Sequence, residues 1–281
     1  MTLDWPELDL TRLSGVGVGG VDGRGALASS RILHVALARS GPRLLQPAEF
    51  DVSQTLVEPA ASFSSFLDKA AEPRAGIIVP VLEGDGLEVL ACMLDVRQDI
   101  VRGIGAFLSE AERRRAEGLK SERDRRRFIV SRGQLRQILA SRLGVSPSDV
   151  ELEYGQLGKP QLSLRMPSRN LHFSVSRSGD VAVVALSTGQ EVGVDIEAVL
   201  TVPEADEIAA LCFSASDYES YAALGPDDRL EGFFRRWTRL EAISKGLGCG
   251  LGYPSSWDEK DWVVRSFVPK TGYLGSVVVR K

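Results

Sequence analysis

The alternation of hydrophobic and polar positions is sharpest from Leu87 onward. Leu87–Leu94 is an apolar run of strand length. Ser109, with Glu112 three residues later, makes a capping box that opens a charged helix over Glu110–Leu119. A longer helix is predicted from about Glu122 to Leu143. There Phe128, Ile129, Leu135, Ile138, Leu139 and Leu143 form an apolar stripe, which Gly144 and Pro147 end. Strand signals follow at Val150–Tyr154, Leu171–Val175, Val181–Ser187 and Glu191–Ile196, then helices at about Glu204–Leu211, Ala215–Ala223 and Arg229–Gly246. Trp262–Phe267 and Tyr273–Val279 close the chain as two more strands. Strand clusters alternating with helices predict a layered α/β or α+β body.

The stretch before Leu87 is different. It is rich in Gly, Ala, Ser and Pro, and its strand signals are Arg31–Ala38 and Gly76–Leu82. Gly15 to Gly20 spell G-x-G-x-x-G, the dinucleotide fingerprint. That motif needs a strand before it and a helix after it to set a pyrophosphate on helix amides, and neither is present, so we expect a loop. No repeats or low-complexity tracts occur.

Composition narrows the function. With 281 residues, 43% of them hydrophobic, the chain can bury a sizeable core and has room for about two domains. A net charge of −4 creates no global demand for nucleic acid or an anionic membrane. The opening MTLDWPELDL lacks the basic and apolar regions of a signal peptide, and apolar runs such as Val181–Leu186 fall short of the ~20 residues of a membrane helix. Three cysteines (Cys92, Cys212, Cys249) without metal-like spacing suit a reduced cytoplasmic protein. Two histidines, His34 and His172, leave no His-rich zinc site, and neither sits in a recognisable triad setting. Chemistry must rest on carboxylates, lysine and arginine.

Three constellations could supply it. In Gly193-Val194-Asp195-Ile196-Glu197, strand alternation points Val192, Val194 and Ile196 into the core. Asp195 and Glu197 share the other face, roughly 6.5–7 Å apart. Two like charges at that spacing call for a cation, and hard oxygen ligands suit magnesium; a solvated edge-strand face is the alternative. In the helix after Arg229, Leu230, Phe233, Trp237, Leu240 and Ser244 form one stripe, with Glu241 and Lys245 one turn apart at its edge. A Trp/Phe seam shields both charges in part, as a metal ligand or an acid/base requires. The third is a basic concentration. From Glu112 to Arg142 eleven basic residues face four acidic ones, a local +7 that leaves −11 for the rest of the chain. Such a patch docks phosphates or an acidic partner, or forms a salt-bridged exposed helix. Gly158-Lys159-Pro160, a lysine in a rigid turn, and Phe173 to Gly179, with hydroxyls and Arg177 at a strand end, are weaker signals.

In this order the pieces resemble the Sfp-type 4′-phosphopantetheinyl transferases, whose G-x-D-x-E segment is followed ~40 residues later by W-[ST]-x-x-E-[AS]-x-x-K. Here these are Gly193–Glu197 and Trp237–Lys245, and the resemblance covers about Leu87–Lys281. It implies that Asp195, Glu197 and Glu241 hold magnesium against the coenzyme A pyrophosphate and that Lys245 contacts that pyrophosphate. It also implies that Lys159, Ser176 and Arg177 line the nucleotide site, with Arg115 near the 3′-phosphate and Arg127 in the same basic stretch. Ser176-Arg177-Ser178 departs from the family's usual Ser-His-Ser, with Ser174 in place of Asn. An arginine keeps the charge and can grip phosphate bidentately.

The implied fold is α/β (α+β). Two similar lobes, 87–188 and 189–281, would be related by a pseudo-twofold, each a small sheet packed with helices, with 1–86 as an N-terminal extension. The implied reaction moves the 4′-phosphopantetheine arm of coenzyme A onto a serine of an apo acyl-, peptidyl- or polyketide-carrier protein and releases 3′,5′-ADP. Glu241 is the candidate base and Lys245 stabilises the leaving charge. Nucleic acid and membrane are not expected partners. Two rival readings stand beside this one: a catalytically silent transferase-like lobe of a larger synthase, and a basic-helix nucleic-acid-binding module.

Overall fold

The computed structural model describes residues 78–155, 158–167, 170–248 and 259–281. The expected strand at Arg31–Ala38, the Gly15–Gly20 segment and Cys249 lie outside the described residues. Strands β1 (Ile78–Gly84) and β2 (Leu87–Met93) form a hairpin whose two turn residues, Asp85 and Gly86, both have positive φ, at 53° and 76°. Asp-Gly at those positions suits the twist of a two-residue hairpin. β1 pairs along its length with β2, so this sheet begins before the boundary that the sequence places at residue 87.

The first sheet is antiparallel in the order β1-β2-β6-β5, with β5 at Leu171–Ser178 and β6 at Val181–Thr188. One face carries Leu90, Cys92, Phe173 and Val184, which pack on Leu135, Ile138 and Leu139 of helix α3 (Glu122–Leu143). Before α3 come α1 (Gln98–Gly105) and α2 (Glu110–Glu117). The expected capping box at Ser109 is present: its Oγ accepts the Glu112 N–H while Glu112 accepts the Ser109 N–H. α1 has no clear signal in the sequence, because two glycines interrupt its apolar positions. It forms because Val101 and Ile104 are buried, and a Cβ on Gly133 of α3 would come within 1.9 Å of Ile104. A small hairpin, β3 (Leu152–Tyr154) with β4 (Pro160–Leu162), follows α3.

The other face of the first sheet, with Val89, Ala91, Val183 and Ala185, packs on Val192, Val194, Ile196 and Val277 of a second sheet. That sheet has the order β7-β9-β8, from β7 (Val192–Ala198), β8 (Trp262–Phe267) and β9 (Tyr273–Arg280). Its far face is covered by α6 (Pro226–Leu247), against which α4 (Ala205–Cys212) and α5 (Ala215–Ala222) pack through Phe233 and Trp237. α6 starts a turn earlier than its apolar pattern indicates. Pro226 supplies the helical φ, and Asp227 and Asp228 complement the positive helix start. The result is a mixed α/β body of helices, sheet, sheet and helices.

Candidate functional site

β7 carries out the alternation read from its sequence. Val192, Val194 and Ile196 enter the core between the sheets, while Gly193, Asp195 and Glu197 face α6. Gly193 is a steric requirement: a Cβ there would lie 2.0 Å from the Ala242 carbonyl oxygen and 2.3 Å from the Gly246 nitrogen. Helix and strand therefore touch at backbone distance, and Asp195, two residues on, is only 2% exposed. The solvated edge-strand alternative does not hold for this face.

In the last turn of α6, the Lys245 ammonium meets Asp195 Oδ1 at 2.5 Å and Ser176 Oγ at 2.9 Å. Ser176 in turn donates to Asp195 Oδ1 at 2.7 Å. Burial pulls the Lys245 pKa down, but Asp195 and Glu241 outweigh it and hold the lysine above its ordinary value. The lysine is charged at neutral pH, and Glu241 stands close enough to contribute to that.

Ser176 belongs to a series. β5 and β7 are the facing edges of the two sheets, and Ser174, Ser176 and Ser178 of β5 all point at β7. Ser174 Oγ accepts the Val194 N–H at 3.1 Å and Ser178 Oγ accepts the Ala198 N–H at 3.0 Å. Ser178 also donates to Glu197 at 2.7 Å. Hydroxyls thus satisfy edge amides that would otherwise be buried without partners. Sequence reasoning had singled out Ser176 and its neighbours but missed this seam. The S-x-S-x-S spacing, three hydroxyls on one strand face, is the signal that reveals it.

Lys159, in the β3–β4 turn, is half-buried and donates to the Lys245 carbonyl at 2.6 Å and the Val192 carbonyl at 3.5 Å. Burial pulls its pKa down. A cation on the last carbonyls of a helix also complements the negative end of its dipole. The structure thus brings Asp195, Glu197, Ser176, Lys159, Lys245 and Glu241 to the junction of β5, β7 and α6. Arg177 alternates to the opposite face of β5 from the serines.

Among the described residues no three His, Cys, Asp or Glu side chains close into a metal-ligating group. The chemistry of the donor set nevertheless fits a hard divalent ion. All the candidate ligands are carboxylates, and Asp195 Oδ2 is a buried oxygen with no hydrogen-bond partner. Lys245 supplies the positive charge on the other Asp195 oxygen.

The basic helices divide by role. Arg127 is buried and makes a two-pronged pair with Asp95, at 2.9 and 2.8 Å; it is not brought to the β7 cluster. Arg136 is buried against Glu112 at 2.7 Å, Arg142 reaches Glu88, and Arg126 donates to the Val96 carbonyl. These four arginines are committed to partners within the chain, which leaves the exposed basic residues of α2 and the start of α3 as the outward charge. Arg115 is exposed, lies 5.7 Å above the Phe128 ring, and rims a cavity of about 550 Å³ with Phe128, Tyr154, Ser163 and Arg165. Burial, with Arg132 beside it, lowers its pKa. The β3–β4 hairpin walls this cavity and carries Lys159 to α6, so one short element joins the cavity to the carboxylate cluster.

A buried lysine–carboxylate cluster and an arginine-rimmed cavity in one α/β body suit the handling of a polyanionic ligand. Residues 191–273 match the 4′-phosphopantetheinyl transferase superfamily, and residues 98–189 match the 4′-phosphopantetheinyl transferase N-terminal model. The chain is 32% identical over 170 residues to 4′-phosphopantetheinyl transferase HetI of Nostoc sp., covering 60% of this chain and 72% of that protein. A putative 4′-phosphopantetheinyl transferase of Synechocystis sp. is 32% identical over 164 residues, 58% of this chain and 65% of that one. AcpT of Escherichia coli is 41% identical over 98 residues, 35% of this chain and 49% of AcpT. The chain belongs to the 4′-phosphopantetheinyl transferase family, enzymes that move the phosphopantetheine arm of coenzyme A to a carrier protein.

Proposed function

We propose that this chain is an Sfp-type, magnesium-dependent holo-carrier-protein synthase whose reaction centre is the β5–β7–α6 junction. The observation that carries the reading is the buried Lys245–Asp195–Ser176 cluster with its unpartnered Asp195 oxygen, inside the segment matched by the superfamily model. Asp195, Glu197 and Glu241 would hold the ion. When bound, magnesium would offset the negative charge of the pyrophosphate; the carrier serine oxygen bonds to the β-phosphorus as the bond from that phosphorus to the 3′,5′-ADP oxygen breaks. Lys245, kept charged by its carboxylate neighbours, donates to the developing charge on the leaving 3′,5′-ADP. Glu241 takes the proton of the attacking carrier serine.

The adenosine end of coenzyme A is assigned to the cavity under Arg115, where the exposed Tyr154 offers an aromatic surface and Arg115 and Arg165 offer charge for the 3′-phosphate. Lys159 and Ser176, both bonded at the Lys245 end of α6, would meet the pyrophosphate, and Arg177, on the other face of β5, would have to reach the nucleotide from that side. The two family models meet near residue 190, which supports lobes at 87–188 and 189–281, with β1 joining the first from the extension. Remaining exposed arginines of α2 and α3, with exposed Leu211 and Tyr218, form the docking surface for an acidic carrier of fatty-acid, polyketide or peptide synthesis. A reduced cytoplasmic setting agrees with the buried thiols of Cys92 and Cys212, the Cys92 thiol being pushed up to about 12 by burial.

Apo-carriers incubated with coenzyme A and magnesium should gain the phosphopantetheine mass. Asp195→Ala and Glu241→Gln should each lower the transfer rate by about 10²-fold or more, as loss of a catalytic ligand or base does. Normal transfer by both variants ends the assignment, and transfer unaffected by chelation removes magnesium from it.

A further inference from the structure

α6 must sit over β7 in one register for Glu241 and Lys245 to face Asp195. Thr238 lies three residues before Glu241 and seven before Lys245, so all three project from one side of the helix. Its side chain is 0% exposed. The Thr238 Oγ1 hydroxyl bonds back to the Phe234 carbonyl at 2.9 Å and pairs with Ser276 Oγ of β9 at 2.9 Å. Ser276, also 0% exposed, is the direct cross-strand partner of Asp195 in the β7–β9 ladder. Opposed residues of an antiparallel pair present their side chains on the same face, with Cβ atoms about 5 Å apart. The hydroxyl pair and the Lys245–Asp195 pair are therefore two pins between the same helix and the same row of the sheet.

The two pins differ in what happens during the reaction. Lys245 and Asp195 are chemically engaged, and their contact must be free to change when substrate binds. Thr238 and Ser276 are fully buried and do not line the cavity under Arg115. Leu240, Trp237 and Leu274 around them are apolar and non-directional, so a slip of the helix along the sheet costs these contacts little specificity. A directional hydrogen bond between two fully buried groups costs much more to misalign.

Resting on the reading above, we propose that Thr238 is a positioning residue. Its hydroxyl, held by Ser276, sets the register of α6 so that Glu241 and Lys245 meet Asp195, and it touches no reactant itself.

The test uses the full chain, coenzyme A, magnesium and an apo-carrier, and begins with the wild type. Failure of the wild type to transfer overturns the functional reading and is seen before any variant is made. Thr238→Val keeps the shape and loses the hydroxyl; it should lower kcat by about 10-fold with KM for coenzyme A within about twofold, while Thr238→Ser should keep kcat within about threefold. Thr238→Val also leaves the Ser276 hydroxyl with only its 3.5 Å contact to Ser266 Oγ, so stability falls too. The deciding variant is Thr238→Val with Ser276→Ala, which removes both polar partners and should restore the urea midpoint toward wild type. A kcat that stays low when stability returns supports the register role. A kcat that recovers with stability, or a Thr238→Val enzyme of full kcat, overturns it.

Discussion

Gly193 shows how one residue can shape a site by sterics alone. Its place in G-x-D-x-E invites a role near phosphate, yet its φ is not in the left-handed region, and what requires glycine is the Ala242 carbonyl 2.0 Å from where a Cβ would stand. That atom is helix backbone, which cannot swing aside as the end of a side chain could. Gly193→Ala must therefore push α6 off β7. It should cost about 4 kcal/mol or more, in the range reserved for severe overpacking. A urea-unfolding midpoint close to wild type would show that the helix yields more easily than its contacts indicate. Asp195 depends on the same approach, since α6 keeps water from it.

At the scale of elements, charge count and charge role separate. The sequence from Glu112 to Arg142 carries a local +7, and this excess looks like one patch. In the folded helices it becomes two populations. Arg127 and Arg136 are buried in ion pairs that tie α3 to the β2–α1 connection and to α2. Arg115 stays exposed at the mouth of a cavity. Arg115→Ala should raise KM for coenzyme A about 10-fold and leave the unfolding midpoint nearly unchanged, as loss of a charged phosphate contact does. Arg127→Ala should do the reverse: about 1–2 kcal/mol of stability lost, with little change in KM. Steady-state kinetics and urea titration of the two variants side by side check the division; a large KM effect in Arg127→Ala would place that guanidinium on the ligand after all.

At the scale of the molecule, two polar joints hold the sheets together beside their shared apolar core. One is the serine seam between β5 and β7. The other is a clasp at the β5–β6 turn. There Asp180 accepts from Lys270 at 2.6 Å and from the Tyr273 hydroxyl, and Arg127 with its partner Asp95 lies close enough for the charges to act on one another. The Arg127 hydrogen bonds hold Asp95 below its ordinary pKa. For Asp180, burial pushes upward, but the bonds from Lys270 and Tyr273 outweigh it and the result is again a lowered value. Carboxyls with depressed folded pKa values contribute stability that is complete above the unfolded value, near 3.8, and is lost as pH falls through the folded values. The urea midpoint should therefore drop as the pH is taken below about 4. Asp180→Asn, less stable at pH 7, should show a shallower fall; parallel curves for the two proteins would mean that the clasp contributes nothing.

Much of this was legible in the chain itself. The capping box at Ser109, the 22-residue helix α3, the strand alternation of β7 and the Glu241–Lys245 spacing are local patterns. Periodicity and capping chemistry are decided within a few residues of one another, so sequence alone determines them. It likewise singles out the acidic strand and the lysine helix as the candidate site, and the fold brings the two together. What only the tertiary structure decided are relations between distant segments. The partner of each arginine, the edge amides that Ser174 and Ser178 satisfy, the glycine contacts that create α1 and seat α6, and the meeting of Thr238 with Ser276 are of this kind. Each depends on which surfaces come within hydrogen-bond or van der Waals reach after the sheets stack. The spacing of residues along one strand or helix carries no information about what the neighbouring element will present to it.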